Sequence, residues 1–100
     1  MNTTPTFKET TKQQFQTLRQ YVPVVARVHG TTHPEFHEVH KQFDSINEKI
    51  KKVRTKKPDL SEEFIKLREI TNNYNVPSDV CETYEAVYHL LAQIDNIYHA

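Results

Sequence analysis

Six apolar residues near the C-terminus, Val80, Tyr84, Val87, Leu91, Ile94 and Tyr98, recur at alternating steps of four and three. Such spacing sets all of them along one stripe of an α-helix, and a stripe this regular requires partner helices to cover it. The start is punctuated as well. Pro77 stands where a missing N–H costs nothing, Ser78 or Asp79 can cap, and Asp79, Glu82 and Glu85 lie toward the positive end of the helix dipole. The pattern predicts a helix over 78–98.

Three upstream stretches carry matching stripes. Thr4-Pro5 reads as a cap and first turn, and Phe7, Thr11, Phe15, Leu18, Val22 and Val25 keep one face apolar as far as Val28. Gly30 supplies a stop, and Pro23 removes the bond to the carbonyl of Arg19, so a first helix bent at Pro23 is predicted over 5–28. Thr32-His33-Pro34-Glu35 has the spacing of a capping box, followed by the stripe Phe36, Val39, Phe43, Ile46, Ile50 and Val53 and an end near Arg54. Asp59-Leu60-Ser61-Glu62 opens a third helix with Leu60, Phe64, Leu67, Ile70, Thr71 and Tyr74 on its face, and Asn72, Asn73 and Asn75 end it. Short connections between four amphipathic helices favour antiparallel neighbours, hence an all-α, up-down-up-down four-helix bundle forming one domain over 1–100.

Composition narrows the function classes. One Gly in 100 residues and no alternating β-branched runs argue against strands. The formal net charge is zero with His neutral, so bulk charge offers no attraction to a polyanion. A single cysteine, Cys81, excludes an internal disulfide and fits a reducing compartment. No apolar run approaches the ~20 residues that span a bilayer, and Met1-Asn2-Thr3-Thr4-Pro5 lacks a basic-then-apolar leader pattern. A cytoplasmic protein without nucleic-acid or membrane partners is expected.

Chemistry-bearing residues are few. His33, His37 and His40, spaced by four and three on one helical face with His29 just before, are the metal candidates; three imidazoles within a turn and a half can hold zinc, copper or nickel. They fall at the edge of the second helix's apolar stripe, where a solvated or cap-associated cluster is the ordinary alternative. Glu35 and Glu38 could add carboxylates, although Glu35 also fits the capping box. His89 is expected partly buried and bonded to a neighbour, and Cys81, one turn into its helix, is either a reactive thiol or a small buried hydrophobe. Tyr84 and Tyr98 lie on the seam, where core packing competes with a redox role for the tyrosines. Six of the thirteen basic residues stand between Lys49 and Lys57, a solvated helix end or an acidic-partner patch. There is no Gly-x-Ser-x-Gly and no phosphate-cradling glycine loop, so nothing in the chain supports enzymatic chemistry without a metal.

Two stretches together resemble a known family. Val25-Ala26-Arg27-Val28-His29-Gly30-Thr31-Thr32-His33-Pro34-Glu35 is one. The other is Leu67-Arg68-Glu69-Ile70-Thr71-Asn72-Asn73-Tyr74, continued by Pro77, Cys81, Thr83, Tyr84 and Tyr88. Both are similar to the di-iron proteins that repair iron–sulfur clusters, the repair-of-iron-centres family of hemerythrin-like four-helix bundles. The resemblance implies that fold, a role in iron handling or in the response to nitric oxide and oxidants, and iron as cofactor. It also implies departures. Lys8 stands where the family's first helix carries a ligand His, the basic run Lys49 to Lys57 stands where the second helix carries His and Glu, and the sequence ends at Ala100, near the last expected His. The family's N-terminal cysteine-containing domain has no counterpart. Two functions are therefore expected. One is a small relative that binds metal in the bundle or in an oligomer. The other is a non-metal interaction or regulatory bundle acting through a homodimer or a protein partner.

Overall fold

The structure is a computed structural model that describes residues 5–53 and 56–100. Among the described residues it is all-helical with no strand: α1 (Phe7–Thr10), α2 (Lys12–His29), α3 (Glu35–Lys52), α4 (Ser61–Thr71) and α5 (Glu82–His99).

The first helical region divides, and the break falls at Thr11. Both the backbone N–H and the hydroxyl of Thr11 donate to the carbonyl of Phe7, at 3.0 and 2.7 Å, and Thr11 takes φ −104°, ψ 8°. A side chain that competes for a backbone acceptor loosens the ladder there. Helix α2 then continues through Pro23 to His29. The cap is Thr6, whose hydroxyl accepts from Glu9 N–H while the Glu9 carboxylate accepts from Thr6 N–H, both at 3.1 Å. Thr4, expected to cap, lies outside the described residues, as does Arg54 beyond α3.

The apolar stripes form the core. Leu18, Val22, Phe36, Val39, Leu60, Phe64, Leu67, Tyr84, Val87 and Ile94 are wholly buried, and Phe15, Val25, Phe43, Ile46, Tyr88 and Leu91 nearly so. Each such Phe, Leu or Ile contributes ~1.5–3 kcal/mol relative to exposure, which is what holds these helices together. Helix α2 packs against α3 and α5, and α3 packs against α4, in a rod of 49 × 22 × 21 Å.

Several helix ends differ from the sequence pattern. Helix α3 begins at Glu35 without a capping box: Thr32 donates to the carbonyl of His29 at 3.3 Å, and Glu35 pairs with His33. At α4, Asp59 rather than the residue beside the helix accepts from the N–H and hydroxyl of Ser61. Its far end closes as the asparagines indicate, with Asn72, Asn73 and Tyr74 at φ 52°, 60° and 61°. Helix α5 starts at Glu82, later than Pro77 and Ser78 suggest, so residues 75–81 form a loop.

Candidate functional site at the histidine and cysteine end

Two connections meet at one end of the rod: the turn between α2 and α3, and the loop 75–81 that leads into α5. His33 is the joint. Its Nδ1 lies 2.9 Å from Glu35 Oε1 and its Nε2 3.0 Å from Asp79 Oδ1, with the side chain 14% exposed. A neutral imidazole has one N–H, so satisfying two carboxylates requires the imidazolium. The hydrogen bond to Glu35, reinforced by Asp79, accordingly raises the His33 pKa above the ordinary histidine value.

The sequence trio does not converge. His40 Nε2 turns to Asp44 Oδ2 at 3.5 Å, and His37 is exposed with its ring against Gly30. Among the described residues no three His, Cys, Asp or Glu side chains gather as metal ligands. Instead His29 reaches Cys81, Nε2 to Sγ 3.1 Å, across the turn. Cys81 is the N-cap of α5 and exposed, correcting the alternative of a buried hydrophobe; the later helix start moves it from the first turn to the rim. His89 is exposed too, one position off the buried face that Tyr88 occupies.

Beneath these groups lies an aromatic floor. Tyr84 meets the rings of His29 and His33 in T-shaped fashion at centroid distances of 5.4 and 5.5 Å and packs on Phe36 at 5.1 Å. Its hydroxyl meets that of Tyr88 at 3.0 Å, both rings being buried. Burial is the main cause that lifts both phenol pKa values. As placed, the end can exchange protons at His33 and present a thiol beside an imidazole.

Two polar ties lie elsewhere in the rod. Asp95, 3% exposed, accepts two bonds from the Arg68 guanidinium, one of them Nε to Oδ2 at 2.8 Å, and one from Tyr74 at 2.7 Å, with His99 Nδ1 2.8 Å away. Burial alone would raise the Asp95 pKa; Arg68 and Tyr74 outweigh it and hold the carboxyl below its usual value. Glu63, also buried, accepts from Ser45 at 2.8 Å and pairs with Lys49 at 2.9 Å. Sequence reasoning missed both acids. The signal was present for Asp95, which follows Tyr88 and Leu91 in three-and-four register and so brings a carboxylate onto a buried face.

Comparison with known proteins adds one firm finding. No family model matches the chain. No solved structure matches it at a significant level. The iron-sulfur cluster repair protein ScdA of Staphylococcus haemolyticus (strain JCSC1435) is 28% identical over 124 residues, covering 93% of this chain. The chain is a distant relative of ScdA. It spans only 56% of the length of ScdA, and because the matched stretch of 124 residues exceeds this chain, ScdA carries residues inside the match that have no counterpart here. No helix among the described residues is long and apolar enough to cross a membrane.

Proposed function

We propose that this chain serves iron handling or the response to nitrosative and oxidative stress in the cytoplasm, as a non-enzymatic bundle that has lost the di-iron ligands of the repair proteins. In this reading the long helices run up-down-up-down in hemerythrin fashion, with α2 bent at Pro23. The likeness to ScdA along 93% of the chain carries the pathway. The chemistry of the buried acids supports the loss of ligands. Glu63 and Asp95 are engaged by Lys49 and Arg68, and a carboxylate held by a cation in this way does not fit a di-iron centre. Lys8, where the family would place a ligand, donates to the carbonyl of Val53 at 3.2 Å.

Metal analysis of untagged protein purified from iron-supplemented cells tests the ligand loss. Iron well below one atom per chain at every concentration is expected, whereas two atoms per chain, or one that appears on oligomerisation, overturns it. The pathway is tested separately. A strain lacking the chain should recover iron–sulfur enzyme activity more slowly after nitric oxide exposure, and unchanged recovery removes the pathway.

Val24 and Val28, 40% and 62% exposed one turn apart on α2, favour a second reading in which the bundle acts through a homodimer or protein partner. Light scattering of the wild type and of Val28→Asp checks it: self-association lost in the variant supports it, and a monomer at all concentrations removes the homodimer.

A further inference from the structure

The three basic residues Lys8, Lys12 and Arg19 converge on one cleft, formed where α1 and the start of α2 face the end of α3. The cleft measures about 300 Å³ and is floored by Phe15 and Ile50. That size is at the lower limit of small-molecule sites. Among the described residues none of the three cations makes an ion pair. Lys8 Nζ donates to the Val53 carbonyl at 3.2 Å, and Arg19 Nε to the neutral amide oxygen of Asn47 at 3.3 Å, with its guanidinium 5.8 Å from the centre of the Phe15 ring. A carbonyl or amide satisfies a hydrogen bond without cancelling a charge. The one acid on the lining, Glu9, spends Oε1 on the N–H and hydroxyl of Thr6, at 3.1 and 2.9 Å.

A chain of zero formal charge thus gathers three cations against the one carboxylate of Glu9 over an apolar floor, a local excess of positive charge. We propose that this cleft binds a small amphipathic anion: an organic carboxylate whose short acyl chain or single ring rests on Phe15 and Ile50 while Lys8, Lys12 and Arg19 surround its head. An anionic head gains from three cations at once, and an apolar body covers the floor. A bare anion lacks the second contribution, and an apolar cation is repelled. The proposal is independent of the pathway reading and of any metal.

The test is titration of the full chain with octanoate, octylammonium or acetate at submicellar concentration, followed by amide nitrogen–proton correlation spectra. Octanoate should shift the amides of Lys8, Lys12, Phe15, Arg19 and Ile50 saturably, with acetate at least tenfold weaker and octylammonium without saturable effect there. The double variant Lys12→Gln and Arg19→Gln changes two exposed side chains, and should keep the folded spectrum while weakening octanoate at least tenfold. No saturable shift, shifts centred on Val24 and Val28, equal binding of octylammonium or acetate, or unchanged affinity in the double variant would each overturn the proposal.

Discussion

A phenol hydroxyl buried among aromatic rings must find a partner, and Tyr84 and Tyr88 supply one to each other at 3.0 Å. The net value of such a bond is about 1 kcal/mol, but orphaning one buried hydroxyl costs more than losing both. Tyr84→Phe and Tyr88→Phe should therefore each destabilise by ~1–2 kcal/mol in urea unfolding, and the double variant by less than their sum. Strict additivity of the two would show that each hydroxyl has another partner. Tyr84 was legible in the sequence because it sits on the three-and-four seam. Tyr88 also stands in register, four after Tyr84 and three before Leu91, although the seam traced above runs through its neighbour Val87. Its partner on α3, Phe36, whose ring stacks within 6° of parallel at 6.4 Å, was not legible, because no local spacing announces a contact from another helix.

At the scale of elements, periodicity revealed the buried faces and left the ends obscure. The stripes follow from local geometry, whereas the caps were settled by competition with distant partners. Asp79 could have capped α5, but it faces His33; Glu35 could have closed a capping box, but it faces His33 as well. Gly30 is a case where the element reverses a general preference. It ends α2 in right-handed helical conformation, φ −61°, where alanine would ordinarily be preferred by roughly 1 kcal/mol. Here a Cβ would collide with the Ala26 carbonyl and the His37 ring. His37 is exposed and can swing aside, while the carbonyl is backbone and cannot. Gly30→Ala should consequently lower the thermal midpoint; a midpoint equal to or above that of the wild type would show that the turn relaxes freely.

Across the whole molecule, pH acts on the histidine end and on the two buried acids in opposite senses. The sequence placed His33, His37 and His40 on one face but could not show that Asp79, 46 residues along the chain, would claim the first of them. That contact makes His33 a charge clasp between Glu35 of α3 and Asp79 of the loop, packed against the ring of Tyr84 of α5 with His29 of α2 beside the same ring. The folded pKa of His33 is raised above its unfolded value of about 6.5, so its contribution is fully present below that pH and is lost as pH rises through the folded value. Asp95 and Glu63 behave conversely: their folded values are lowered, so their stabilisation holds above about pH 4 and fades as acid reaches those values. The difference in urea midpoint between wild type and His33→Gln should then be largest near pH 6, where the acids remain charged, and shrink as pH passes the raised histidine value. A gap that stays constant from about pH 6 to 9 would mean that His33 holds the end together by packing on Tyr84, with its charge contributing nothing.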